Sequence, residues 1–430
     1  MEKKFRIISI LFIIGCFIYY GGRFGYYYMK YNKKSSNTEE SEVLAVTIQK
    51  QGIVSSGDGL YNNSGELIYK GKNVNNYLSY SNILWRIVKV NSDNSIVLVT
   101  DSKINDLAYG VSNSTYLKSN INDYLNKSLE NTGIFETILN NKEKLLTKNT
   151  LCLDDVNNIK KITCKNKDTN MYVSLLSVSD YLNSKNSDSY INNVDTLWLY
   201  NKTSDNKAWY INNGKLLKGS TLNMHGVKAV ITLKNTIGSI SGDGSLNNPY
   251  KIEKDDNEVS FNKYVKLGND LYTINDINSS SIKLVSTTLI NDITSRSINY
   301  YNKNFDSKVT SSIAYYLNNK YYNSLSYKNI LTDCTFYTGD YNKLTNYDYK
   351  NIYKGKVISK VGLLSIADLN LNNNLTDYFT LNKLDNKIYY VKNNDTNISS
   401  INKIRTSICI DKNTKLKGNG TKTNPFELEV

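Results

Sequence analysis

Histidine is almost missing from these 430 residues: His225 is the only one. A Ser-His-Asp or Cys-His nucleophilic site would have to be built on it, and it precedes Gly226 in NMHGVKAVITL, a stretch that reads as structural. The five cysteines include no C-x-x-C spacing, so with one imidazole no metal site is expected. Long basic runs are also absent. The net charge of +14 comes from lysines scattered among asparagine, tyrosine and serine, which excludes a nucleic-acid stripe but leaves a basic surface suited to anionic wall polymers or acidic glycans. Two Gly-rich stretches exist, yet no helical pattern follows either, so no phosphate cradle and no cofactor are expected.

Proline is nearly missing too, and its two occurrences share a context: Pro249 in SGDGSLNNPYKIE and Pro425 in KGNGTKTNPFELE. Sliding the halves of the chain against each other extends the match. SNILWRIVKVNSDNSIVLVT from Ser81 aligns with GNDLYTINDINSSSIKLVST from Gly268, with Trp85 on Tyr272 and Tyr77 on Tyr264. INDYLN from Ile121 meets IAYYLN from Ile313, VSLLSVSDYLN meets VGLLSIADLNL, NKAWY meets NKIYY, and VKAVITL meets IRTSICI. The order never changes, so two divergent copies of one domain fill most of the chain, each of independently folding size. Gly242, Gly244, Gly418 and Gly420 permit positive φ, and the Asn-Pro step forces extension, so each proline stretch reads as a tight loop feeding the last strand of its copy.

At the N-terminus, Lys3, Lys4 and Arg6 precede an uncharged apolar run from Ile7 to Gly22, followed by tyrosines that suit a headgroup interface. This pattern predicts an uncleaved signal anchor crossing a membrane through residues 7–28; a lipobox-like reading at Cys16 is the alternative. The expected organisation is therefore an anchor at 1–29, a linker at 30–50, a first repeat at 51–254 and a second, degenerate repeat at 255–430. Cysteine usage agrees with an extracellular, single-pass location: Cys152 and Cys164 lie in the first copy, Cys334 and Cys409 in the second, compatible with one disulfide per copy. Four free buried thiols are the alternative, because spacing alone does not fix pairing.

Asp180 and Asp368 recur inside SLLSVSDY and GLLSIADL, where Ser177 and Ser365 read as helix N-caps with an acid in the first turn; a carboxylate-dependent hydrolase is the competing reading. Trp85, Trp198 and Trp209 recur as Tyr272, Phe379 and Tyr389, which indicates shared core for Trp85. Trp198 and Trp209 lie beside polar loops and stand open to core or ligand; with Tyr210 and Lys228 they are the candidate ligand-binding residues.

Hairpin patterns around Leu84 to Thr100, a helical spacing over residues 121 to 135 and a short helix at LLSVSDYL predict an α+β domain with a mixed, mainly antiparallel sheet and short helices. The series GDGLY, LWRIVKV, LLSVSDY, KAWYIN, HGVKAVITL and SGDGSLNNPYKI resembles a group of anchored surface proteins of gut Firmicutes and their wall-less relatives, whose repeat reads W-R-I, L-L-S, a W-rich strand, G-V-R-P and a G-x-G ending. The chain departs from it at Lys228-Ala229, and the second copy keeps only Arg405 of that element. The late Trp strand followed by G-V is also distantly similar to C-type-lectin-like and formylglycine-generating-enzyme-like domains, an analogy of fold without activity. The resemblance implies a membrane-tethered extracellular binding or adhesion protein for a wall polymer, glycan or surface protein, and no enzyme. A structural envelope protein without a specific ligand is the second reading and an extracellular hydrolase the third.

Overall fold

A computed structural model describes residues 42–111, 115–126, 133–252, 259–290, 305–339, 354–365, 368, 378–384, 387–391 and 404–429. From Val43 onward the chain forms one compact unit. The helix Leu44–Gln49 opens it and buries Leu44, Ala45 and Ile48 against the first repeat, although the sequence placed these residues in a linker.

The first repeat follows from its alternating apolar strands. Strands β1 (Gly59–Asn63), β2 (Glu66–Lys70), β3 (Tyr77–Tyr80), β4 (Ile83–Val90), β5 (Ile96–Thr100) and β6 (Asn105–Ala108) run up to the helix Asn120–Leu125. After it come β7 (Leu146–Thr147), β8 (Asn149–Cys152), β9 (Lys167–Met171), β10 (Thr196–Lys202), β11 (Lys207–Asn212), β12 (Lys215–Ser220), β13 (Met224–Val227), β14 (Val230–Leu233) and β15 (Tyr250–Lys251). The main sheet has the order β1-β2-β4-β5-β14-β7, with β3 joining β4 and β15 lying parallel to β3. A second sheet, β12-β11-β10-β13-β6, is continuous with it, because β5 leads into β6 and β13 into β14.

Register decides what each face of the main sheet carries. Trp85 pairs with Thr100 and Ile87 with Leu98, so these side chains share the core face, where Trp85 is fully buried and meets Phe135 edge-on at 6.0 Å. Arg86 pairs with Val99 on the opposite face. A register shift between Ile87 and Lys89 then turns Lys89 onto that same opposite face, across from Val97, instead of into the core.

The second repeat rebuilds this frame with β16 (Tyr264–Leu267), β17 (Asp270–Ile277), β18 (Ser281–Ser286), β19 (Leu331–Thr332), β20 (Cys334–Tyr337), β21 (Lys356–Ser359), β22 (Val361–Leu363), β23 (Tyr378–Leu384), β24 (Lys387–Val391), β25 (Thr406–Asp411), β26 (Leu416–Lys417) and β27 (Glu427–Leu428). Its sheet order is β16-β17-β18-β25-β19, with β22 also on β25, and its register shift, between Ile274 and Asp276, falls at the equivalent place. Smaller features repeat as well. The side-chain amide of Asn126 clasps the backbone of Val173, donating to its O at 2.7 Å and accepting from its N at 3.1 Å, and Asn318 clasps Val361 in the same way. Both proline loops close alike: Tyr77 N donates to Gly244 O and Tyr264 N to Gly420 O, each at 2.8 Å. At Gly242 (φ 97°) and Gly418 (φ 116°) a side chain would run into the carbonyl of Pro249 or Pro425, so the loop requires glycine there.

Three expectations are corrected. The α+β class gives way to a mainly β architecture of several antiparallel sheets, because β-branched and aromatic residues dominate the segments and the helices stay short. The helical spacing over 121 to 135 yields a helix that ends at Leu125, where Asn126 turns extended and gives its amide to Val173; residues 127–132 lie outside the described residues. The expected transmembrane helix and single-pass location are corrected likewise: no helix among the described residues is long and apolar enough to cross a membrane, and residues 7–28 and Cys16 lie outside the described residues.

Candidate functional site

The face of the main sheet that carries Lys89, Val97 and Thr232 is not fully covered. Against it, β8 and the segment around Ser174 enclose a cleft of about 290 Å³ in the first repeat, near the small end of ligand pockets. Its walls are polar: Lys89, Asp180, Asn149, Thr232, Lys148 and Tyr200 converge on it.

Most of these groups are held in place. Asp180 sits in the first turn of the helix Val178–Asn183, whose Ser177 cap accepts a hydrogen bond from Asp180 N at 2.8 Å and donates its own hydroxyl to Asp180 Oδ2 at 2.7 Å. The other carboxylate oxygen meets Lys89 Nζ at 3.3 Å. Burial alone would lower the Lys89 pKa, but the carboxylates of Asp180 and Glu66 outweigh it and raise the ammonium above its ordinary value. Asn149 donates to Ser174 Oγ and to Val230 O, both at 2.9 Å, and accepts from Thr232 Oγ1 at 2.7 Å. The Tyr200 hydroxyl accepts from Cys152 N at 3.2 Å, and burial pushes its pKa up to about 12. At the rim, hydrogen bonds from Ser95 hold the Asp93 carboxyl below the usual range. Lys148 is exposed and has no hydrogen-bond or ion-pair partner among the described residues.

The second repeat has the same frame, and among its described residues the equivalent place is filled. Asn149 and Thr232 correspond to Cys334 and Cys409, which form a disulfide in place of the hydrogen bond. Leu151 corresponds to Phe336, which is fully buried beneath Gly362, the counterpart of Ser174; a Cβ on Gly362 would come within 2.5 Å of that ring. Tyr200 corresponds to Leu381, which packs with Val357 onto Phe336 and the disulfide. An apolar plug therefore fills the second repeat where the first keeps a polar cleft.

The other disulfide joins Cys152 to Cys164 across the β8–β9 connection, so two disulfides are present and they are not equivalent in the two copies. Sequence spacing placed one in each copy without fixing the pairing. The second is buried between β20 and β25, and the first lies toward solvent.

The sequence-derived ligand candidates stand elsewhere. Trp198 is fully buried in the second sheet and donates Nε1 to Leu107 O at 2.8 Å, and Trp209 donates to Val156 O at 2.6 Å. Tyr210 stacks on His225 at 4.1 Å, and the imidazole meets Trp198 edge-on at 4.4 Å. Neither ring nitrogen of His225 has a hydrogen-bond partner among the described residues, and burial lowers its pKa to about 4. Lys228 is 1% exposed, donates to Ile191 O and Asn193 Oδ1, and burial lowers its pKa to about 7, partly opposed by Asp101. None of the four borders the cleft. Sequence reasoning singled out Asp180 but missed Asn149, Thr232 and Lys148; the signal available was that Cys334 and Cys409 replace two polar residues of the first copy. No known family, curated protein or solved structure matches this chain.

Proposed function

We propose that the chain is a binding protein whose first repeat holds a hydroxyl-rich ligand, such as one unit of a glycan or wall polymer, in the cleft between Lys89, Asn149 and Asp180. The observation that carries this reading is the difference between the copies: one fold keeps the cleft polar and open, and its duplicate plugs the same place with Phe336 and a disulfide. A cleft lined by amides, hydroxyls, a carboxylate and an unpaired ammonium offers alternating donors and acceptors, which suits a ligand that itself presents both. The two disulfides fit work in an oxidising compartment, as expected for the surface proteins its motifs resemble.

Binding is favoured over hydrolysis by the carboxyls. Asp180 is engaged by Lys89 and Ser177, and the Asp93 carboxyl is held down by Ser95, so Asp93 does not serve as the protonated acid that glycoside cleavage needs. The test copies the second repeat into the first. The full chain and its Leu151→Phe/Ser174→Gly variant are compared on a glycan and wall-polymer array. Retention by the parent and loss by the variant support the reading; a blank array for the parent, or equal retention by both, defeats it.

A further inference from the structure

Lys228 stands where β13 passes into β14, and only 1% of it reaches solvent. Its Nζ donates to two oxygens of one short segment, Ile191 O at 3.5 Å and Asn193 Oδ1. The second contact sets an amine against a carboxamide. Because the carboxamide carbon lies one C–O bond, about 1.2 Å, from Oδ1, the nitrogen and that carbon are neighbours. The far end of the same side chain is held apart: Asn193 Nδ2 donates to Asp101 O at 2.8 Å, and the residue as a whole is exposed. Burial lowers the Lys228 pKa to about 7, opposed by the charge of Asp101 and aided by that of Arg86, so much of the amine is uncharged at neutral pH. An uncharged amine is a nucleophile.

We propose that Lys228 and Asn193 become joined by an intramolecular isopeptide bond, through attack of Lys228 Nζ on the carboxamide carbon of Asn193 and release of ammonia. The inference does not depend on the cleft described above. The amine lone pair forms the new N–C bond, the bond from the carbon to Nδ2 breaks, and one proton passes from the attacking to the leaving nitrogen. Ammonia departs, and no oxidant or other reagent is consumed. Both nitrogens stand at Asp101, whose charge acts on the amine and whose carbonyl oxygen accepts from the amide. Holding the two groups in contact supplies an effective molarity of about 10⁵ M or more, which a mobile surface pair lacks. The chain folds with the amine free and the bond accumulates afterwards, so unreacted chain still titrates at Lys228. Once formed, the bond ties the segment ahead of β10 to the junction of the two sheets, and reductant does not open it. The second repeat lacks this chemistry, because Arg405, at the place of Lys228, donates to Ser286 O at 3.2 Å and Thr287 O at 2.6 Å with a guanidinium that stays charged.

The experiment holds the folded full chain above pH 7 for days, then reduces, alkylates and digests it with trypsin. One branched peptide is expected, made of residues 186–202 and 219–234, uncut after Lys228 and lighter by one ammonia than its two arms together. Fragmentation assigns the link to Asn193 and Lys228. Lys228→Arg, which copies the second repeat, and Asn193→Ala yield no branch. The rate of its formation in the parent rises about tenfold per pH unit up to the Lys228 pKa and levels off beyond it, a dependence that a purely structural lysine does not produce. Recovery of only the separate arms from the folded parent, a branch that persists in Asn193→Ala, or a rate indifferent to pH overturns the proposal.

Discussion

Lys283 meets Asp368 at 2.7 Å in the second repeat, and the first repeat forms the corresponding pair from the neighbouring strand, with Lys89 on Asp180 at 3.3 Å. Lys89 on β4 faces Val97 on β5; in the second copy, Asp276 and Lys283 occupy those two places. The lysine has moved one strand across the hairpin while its aspartate partner stayed. Asp276, left on the vacated strand, is half-buried, and desolvation raises its pKa.

The relocation predicts compensation. Lys89→Asp alone sets a second carboxylate beside Asp180 and costs about 2 kcal/mol, below the range for fully buried pairs because both side chains keep part of their surface in water. Adding Val97→Lys recreates the arrangement of the second copy and restores most of that stability. Chemical denaturation of both variants measures it; a double variant no more stable than the single one contradicts the equivalence.

The two disulfides should separate under reductant. Cys152–Cys164 spans 12 residues and lies toward solvent, whereas Cys334–Cys409 spans 75 and is buried. Chain entropy assigns about 3 kcal/mol to the first and about 4.5 kcal/mol to the second. Timed alkylation with mass spectrometry is expected to label Cys152 and Cys164 first, and Cys334→Ala/Cys409→Ala to lose more stability than the paired substitution at 152 and 164.

His225 gives the fold an acid sensitivity. Its folded pKa of about 4 lies below the unfolded value, so the neutral ring stabilises the fold above pH ~6.5, and that contribution is lost as pH falls toward 4. Because the ring is only partly buried, the loss is about 1 to 2 kcal/mol. His225→Phe keeps the stack on Tyr210 and is expected to flatten this part of the pH–stability curve relative to the parent. Parallel curves for the two proteins would refute the assignment.

Lys228 acts in the opposite range. Its pKa of about 7 lies below the unfolded lysine value, so the unfolded chain binds the extra proton and stability rises with pH above 7. Asp101 and Arg86 face it, the first raising and the second lowering its pKa. A gain of about 2 kcal/mol between pH 7 and 9 follows from a full proton of linkage, and Lys228→Met should abolish it. Thermal melts at these two pH values decide the point.

The sequence by itself determined the duplication, the two proline loops and the serine cap at Ser177. These depend on local backbone demands: positive φ at Gly242 and Gly418, and an orphan N–H at a helix start. It also supplied the cysteines without their partners. Tertiary structure alone decided that Trp198 and Trp209 are core, that helices give way to sheets, and that one copy is open where the other is filled. The physical reason is that the cleft draws on separate strands whose side chains meet only through register. The shift after Ile87 turns Lys89 out of the core, and Asn149 reaches Thr232 across 83 residues of chain. No local pattern encodes such a meeting.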